Sequence, residues 1–152
     1  MYRQSPQIRK IVFLSITSFV FNFVWEWIQC DLFFVHRGAR AVPLSMVTAA
    51  FGDVLLTFVI IGLALFVGDR PRYSLKKLAT LKGLFLIEIF AFAAAAVIEK
   101  FALATNRWSY TDLNPMIPLL DLSLIPTLQM MLLTPAVAYG SLLASKRTKG
   151  HN

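Results

Sequence analysis

The chain has 152 residues, enough for one domain, and 57% of them are hydrophobic while only 15% are charged. A soluble chain of this length could not bury so much apolar surface, so the composition predicts that lipid covers part of it. The net charge of +7 does not indicate nucleic-acid binding, because the basic residues occupy short flanks between apolar runs. The single cysteine, Cys30, excludes an intrachain disulfide and a cysteine-based zinc site.

Four apolar runs follow one another along the chain, and each is long enough to cross a bilayer as a helix. They cover residues 11–35, 44–67, 81–104 and 119–144, and about 20 apolar residues span the hydrocarbon core. Because lipid offers no hydrogen-bond partners, helices are the expected form of such runs. The sequence therefore predicts an all-α, polytopic membrane protein, with four transmembrane helices in a single domain over residues 1–152.

Prolines mark the predicted starts of two helices and interrupt one of them. Pro43 and Pro118 precede the second and fourth runs, where a proline fits the first turn of a helix. Pro126 and Pro135 fall inside the fourth run, where the missing backbone donor favours a kink. The fourth helix is therefore expected to be the least regular.

The basic residues are distributed unevenly between the two ends of the predicted helices. Eleven lie before the first run, between the second and third, or after the fourth, and four lie in or beside the other two loops. Cytoplasmic loops carry the excess of lysine and arginine. This asymmetry predicts cytoplasmic N- and C-termini, with loops 36–43 and 105–118 facing outward.

Polar side chains in the first run share one face of the predicted helix. Ser18, Asn22, Glu26 and Gln29 are spaced by four, four and three residues, which places them in one stripe. Glu26 lies roughly 14 Å from the outer end, at 1.5 Å per residue. A charged group at such depth is costly and usually marks a site inside the bundle.

Two further polar residues reach the same depth from other runs. Asp53 lies nine residues into the second run, and Gln129 ten residues into the fourth. Gly52, beside Asp53, is expected to let a neighbouring helix approach. Glu26, Asp53 and Gln129 are therefore predicted to meet at one level in the outer half of the membrane.

A second polar group lies nearer the predicted outer surface. Glu99 is close to the end of the third run, and the loop after it carries Arg107, Trp108 and Tyr110. Trp and Tyr favour the membrane interface, and Arg107 is expected to close over the carboxylates as their counter-charge. Glu88 lies three turns before Glu99 on the same face.

Each of these residues also has a structural interpretation. Gln129 could be a packing contact, Trp108 and Tyr110 interfacial anchors, and Glu88 a hydrogen-bonded structural acid. With only two histidines the chain lacks the cluster that a di-iron enzyme needs, and no Gly-rich phosphate loop is present. We therefore expect no metal and no cofactor.

Four motifs resemble a family of small bacterial four-helix integral membrane proteins. The segments are "NFVWEWIQCDLF", "GDVLLT", "IEKFALATNRWSY" and "IPTLQ", and the resemblance covers roughly residues 20–135. It implies a bacterial inner membrane and a shared site, but no particular reaction. The matching residues are Asn22, Trp25, Glu26, Gln29, Gly52, Asp53, Val54, Glu99, Arg107, Trp108, Tyr110, Pro126 and Gln129.

The last helix pair is also similar, more weakly, to the lycopene cyclase domain and the carotenoid hydratases of the membrane. Trp108, Tyr110 and Pro126 fit the pattern of those enzymes, but Gln129 stands where the cyclases carry a glutamate. In that analogy Glu26 or Glu99 would have to replace the missing proton donor.

The preferred hypothesis is an intramembrane enzyme that carries out redox-neutral acid–base chemistry on a lipid or isoprenoid entering between helices. The alternatives are a proton-coupled transporter working as a homodimer, and a subunit or assembly factor of another membrane protein. The transporter is suggested by the acids at successive depths. In the enzyme, the predicted catalytic residues are Glu26, Asp53 and Glu99, and the predicted substrate-binding residues are Asn22, Gln29, Gln129, Arg107, Trp108 and Tyr110.

Overall fold

The computed structural model describes residues 6–36, 43–68 and 75–147. The chain is mostly helical, as predicted, and a short 3-10 helix (Leu75–Ala79) precedes the third long helix. The four long helices are α1 (Pro6–Phe33), α2 (Pro43–Gly68), α3 (Leu81–Ala104) and α4 (Leu124–Arg147). Loop 36–43 lies almost wholly outside the described residues, as do the flanking basic residues Arg3, Arg37, Arg40, Arg70, Arg72 and Lys149.

The four helices pack in a ring in which each contacts the next in sequence and α4 closes against α1. Ile60 of α2, Ile87 of α3 and Val137 of α4 are almost completely buried in the shared core. Ala91 and Ala95 of α3 are buried there too, because small side chains let neighbouring helices approach closely.

Three of the helices are long and apolar enough to cross a membrane: Lys10–Cys30 within α1, Leu44–Gly68 and Leu81–Ala104. Their outer faces remain uncovered by protein, with Leu55 and Val97 each 68% exposed. α4 is of similar length but is not among these candidate spans. Its buried face of threonine, glutamine and serine makes it less apolar. The prediction of four membrane-spanning helices is therefore confirmed for three of them.

The first predicted helix ends earlier than the apolar run does. α1 stops at Phe33, and the next three residues form strand β1 (Phe34–His36). β1 pairs antiparallel with β2 (Trp108–Tyr110), which connects the end of α1 to the segment after α3. Periodicity does not reveal this pair, because Phe34 and Val35 continue the apolar composition of the helix before them and three residues are too few to show a period.

The predicted start of the fourth helix at residue 119 is also wrong. Residues 116–123 form a hairpin of β3 (Met116–Ile117) and β4 (Leu122–Ser123), and Pro118 lies in its turn. Two turn residues, Leu119 and Asp121, have positive φ angles of 70° and 50°, which reverse the chain tightly. α4 begins only at Leu124.

The prolines divide between helix starts and helix interior. Pro43 is the first residue of α2, as predicted. Pro126 lies in the first turn of α4, where no intrahelical partner is lost, so its predicted disruption of the helix is wrong. Pro135 lies in the interior of α4 and removes one backbone donor there.

Gly83 packs against the short helix before α3 so closely that any side chain would collide with backbone. A Cβ at Gly83 would meet the carbonyl oxygen of Lys77, and would lie 2.6 Å from the Cα of Leu78. We expect Gly83→Ala to lower the free energy of unfolding by about 1–3 kcal/mol. Titration with a denaturing detergent in mixed micelles measures this change.

Gly62→Ala in α2 is the matched control, because a Cβ there has no neighbour within 4 Å. It makes the same chemical change in a helix, and alanine favours helix over glycine by about 1 kcal/mol. Equal effects of the two substitutions would contradict the proposed clash.

Candidate functional site

Two glutamine side chains form the centre of a polar cluster between α1, α2 and α4. The Nε2 of Gln129 donates to the Oδ1 of Asn22 at 3.0 Å and to the Oδ2 of Asp53 at 2.9 Å. The Nε2 of Gln29 donates to the Oε1 of Gln129 at 3.1 Å. Both glutamines are buried. The structure thus brings Gln129, Asp53 and the stripe of α1 together, although α4 begins at Leu124 and not at residue 119, from which the depth of Gln129 is counted in the sequence.

Glu26 joins this cluster through Gln29 and Cys30. Its Oε1 accepts a hydrogen bond from the Nε2 of Gln29 at 2.8 Å, and its Oε2 accepts one from the Sγ of Cys30 at 3.4 Å. Gln29 is itself oriented by Trp25, whose Nε1 donates to the Oε1 of Gln29 at 2.9 Å. The carboxylate of Glu26 is therefore held by neighbours one helical turn away on α1.

Asn22 supports this cluster from behind. It is completely buried, and its Nδ2 donates to the backbone carbonyl of Ser18 at 2.9 Å. The hydroxyl of Ser18 in turn donates to the Oγ1 of Thr57 on α2 at 3.3 Å. Asn22 therefore orients the amide of Gln129 and does not line the cavity described next.

A cavity of about 620 Å³ lies in front of Glu26, Asp53 and Gln129. This volume is in the range of small-molecule sites. Leu55 and Val59 of α2 and Ile98 of α3 line it and are also exposed on the outside of the bundle. The cavity therefore reaches the apolar outer surface of the bundle between α2 and α3.

Gly52 contributes to the cavity wall and not to a close helix contact. A Cβ at this position would meet nothing within 4 Å, so the predicted close approach of a neighbour is wrong. The absence of a side chain at Gly52 leaves space beside Asp53, which is only partly buried.

Glu99 lines the same cavity but belongs to a second polar cluster. Its Oε1 accepts hydrogen bonds from the hydroxyl of Tyr110 and from the backbone N–H of Ser123. Its other oxygen, Oε2, is buried and has no hydrogen-bond partner among the described residues, and the residue as a whole is 1% exposed. An unpaired buried carboxylate oxygen is costly, so this atom is available to a ligand or a proton.

The short strands hold this second cluster in place. Ser123 ends β4, and its hydroxyl donates to the Oδ1 of Asn114 at 2.7 Å and accepts from the backbone N–H of Ile125 at 3.2 Å. It therefore acts as a cap for the first turn of α4. Tyr110 ends β2 and reaches Glu99 from the other side, behind the cavity wall.

Arg107 and Trp108 complete one end of the cavity. Arg107 is exposed on the rim, whereas Trp108 is partly buried and packs edge-on against Phe34 at 5.9 Å. The Nε1 of Trp108 is buried, and no described residue accepts a hydrogen bond from it. Of the predicted site residues, the cavity is thus lined by Glu26, Gln29, Asp53, Glu99, Arg107, Trp108 and Gln129, while Asn22 and Tyr110 stand behind it.

Sequence reasoning assigned no role to Cys30, Phe34 and Ser123. Cys30 lies four residues after Glu26 and next to Gln29, so its spacing could have placed it on the polar stripe. Ser123 acts through its backbone N–H, which carries no signal in the sequence. Within the described part of the chain, no cluster of His, Cys, Asp and Glu side chains is suited to hold a metal ion.

Comparison with protein-family models finds no match, and comparisons with curated proteins and with solved structures also find none. The site is therefore interpreted from its own geometry.

The first prediction from this site concerns Gln129. We expect Gln129→Leu to lower the free energy of unfolding by about 2 kcal/mol or more, because Asn22 and Asp53 lose their donor and each unpaired buried group costs about 1–3 kcal/mol. Thr134→Val on the same helix is the matched control. Its hydroxyl is buried and has no hydrogen-bond partner in the described part of the chain, so its removal is expected to be neutral or stabilising. Equal free energies of unfolding for Gln129→Leu and Thr134→Val would show that Gln129 does not hold α1, α2 and α4 together.

The second prediction concerns Tyr110, outside the predicted spans. Burial and the hydrogen bond to Glu99 raise the pKa of the Tyr110 phenol well above its ordinary value. The stability linked to this phenol is complete below about pH 10, the pKa of an unfolded tyrosine, and is lost as the pH rises towards the higher folded pKa. In an alkaline absorbance titration of the folded protein, we expect one of the four tyrosines to ionise last.

Tyr110→Phe must remove that late step from the titration. Tyr139→Phe is the control, because Tyr139 is 53% exposed on α4 and must leave the late step in place. A late step that survives Tyr110→Phe would show that another phenol carries the shift.

Proposed function

We propose that this chain is an integral protein of a bacterial inner membrane that carries out redox-neutral acid–base chemistry on a lipid or isoprenoid. The observation that carries the proposal is the cavity of about 620 Å³, which combines carboxylates with an apolar wall and reaches the outer surface between α2 and α3. A substrate dissolved in the membrane enters such a cavity sideways and does not have to pass through water.

Glu26 is the proposed general acid and base. It is partly buried on the cavity wall, and Gln29 and Cys30 orient its two oxygens. A positioned carboxyl group that exchanges a proton with a substrate typically contributes about 10²–10⁴-fold to a rate. Asp53 is linked to the same cluster by the hydrogen bond from Gln129, and its carboxyl group changes the electrostatic environment of Glu26. Glu99 offers a second carboxyl at another part of the same cavity.

The proposed membrane topology adds α4 to the three candidate spans. α4 packs along α1 and α3, and its polar residues Thr127, Gln129 and Thr134 are buried against them. A helix whose polar face is covered by neighbours can accompany them through lipid. With four crossings and the basic residues inside, both termini are cytoplasmic.

The transporter and the assembly subunit remain the alternatives. Transport would be favoured by a continuous row of acids, but Glu88 is not part of the cavity wall that Glu26, Asp53 and Glu99 share. This separation of Glu88 from the cavity favours the enzyme.

Glu26→Gln tests the proposed chemistry directly. It keeps the shape of the side chain, replaces one acceptor oxygen with an NH2 group and removes the acid–base function, so we expect turnover to fall by about 10²-fold or more. The measurement is a mass-spectrometric comparison of lipid and isoprenoid extracts from membranes that contain wild type or variant at equal protein levels. At least one species should accumulate and another should decline.

Glu88→Gln is the matched control, since it makes the same change on α3 outside the cavity. Its extract should equal that of wild type. Identical extracts from wild type and Glu26→Gln, with both proteins folded and equally abundant, would overturn the proposed chemistry.

A further inference from the structure

The cavity is strongly acidic although the chain as a whole is basic. The sequence has eight Asp and Glu residues, and Glu26, Asp53 and Glu99 line this one cavity. Among its lining residues within the described ranges, the one cationic side chain is Arg107, which is exposed on the rim. The wall of the cavity therefore favours a positive charge in front of it.

Glu99 provides an independent sign of a missing partner. It is 1% exposed and lines the cavity, and within residues 6–36, 43–68 and 75–147 its Oε2 has no hydrogen-bond partner. The donors that contact these acids are directed at other carboxyl oxygens, and they lie on Gln29, Cys30, Gln129, Tyr110 and Ser123. A donor supplied by a ligand would satisfy the orphaned oxygen.

We propose, building on the proposed function, that the substrate is an amphiphilic amine: a membrane-soluble molecule with a protonated amine at its polar end. The amine lies inside this cavity, and its N–H groups donate to oxygens of the carboxylates that line it. The apolar chain lies along Leu56 and Met130 and leaves between α2 and α3.

The low polarity of the cavity, its aromatic rings and the arrangement of its acids favour an organic cation over other occupants. Charge interactions are much stronger in a cavity of low polarity than in water. Phe34 and Trp108 add aromatic rings to the wall, and such rings attract organic cations. A metal ion is disfavoured, because the described acids do not form a group that could hold one.

Binding of three probes with the same chain length tests the charge preference. Decylamine, decanol and decanoate carry a positive, a neutral and a negative head at neutral pH. Each is titrated calorimetrically into full-length protein in nanodiscs, with empty nanodiscs as the blank for partitioning into lipid. We expect decylamine to bind about ten-fold or more tightly than decanol, the effect of one hydrogen bond to a charged group. Decanoate should bind least.

Variants then identify the groups that select the charge. Glu26→Gln and Asp53→Asn should each lower the preference for decylamine over decanol by about ten-fold, and Glu88→Gln should leave it unchanged. Gly52→Leu keeps every carboxylate but fills the space in front of Gly52, so it should weaken all three probes together. Gel filtration confirms that each variant is folded.

The result that overturns the inference is equal binding of decanol and decylamine by wild type, or a preference that survives Glu26→Gln combined with Asp53→Asn. If either carboxylate variant fails to fold, Gly52→Leu tests the inference in its place. Undiminished amine binding by Gly52→Leu would place the amine outside this cavity and overturn the inference. The lipid extracts report separately on the chemistry. Selective amine binding with unchanged extracts would refute the catalytic role alone, whereas changed extracts without amine preference would refute this inference alone.

Discussion

The buried side-chain amide of Gln129 is the interaction on which the bundle depends at the level of the site. It donates to Asn22 on α1 and to Asp53 on α2, and accepts from Gln29 on α1. Each of these groups would be unpaired if the helices separated in an apolar environment, where no water replaces the lost partner. The same contacts therefore join three helices and orient the carboxylates that face the cavity.

α3 is joined to the rest of the protein by a second set of hydrogen bonds. Its acid, Glu99, is bound by Tyr110 from β2 and by the backbone of Ser123 from β4. β2 pairs in turn with β1, which continues directly from α1. The short strands thus close one end of the bundle, and they place a second carboxylate on the cavity that the glutamine cluster faces from the other side.

The polar stripe of α1 could be predicted because helical periodicity relates Asn22, Glu26 and Gln29 without knowledge of any other segment. Residue counts along the apolar runs also place Asp53 and Gln129 at one level, but the count for Gln129 starts at residue 119, whereas α4 begins at Leu124. The contact between these side chains therefore depends on how the helices pack. The partners of Glu99 could not be found in this way. Strands of two or three residues are too short for a period to be visible, and the donor on Ser123 belongs to the backbone, which is the same in every residue.

The number and approximate extent of the helices, the apolar character of their outer faces and the polar stripe of α1 can all be predicted from the amino-acid sequence. These properties follow from composition and from a repeat that acts within one helix. The end of α1, the start of α4, the position of Gly52 beside a cavity and the sharing of this cavity by Glu99 and Glu26 depend on the folded arrangement of the chain. These properties arise from contacts between residues far apart in the chain, whose geometry depends on how all the helices pack at once.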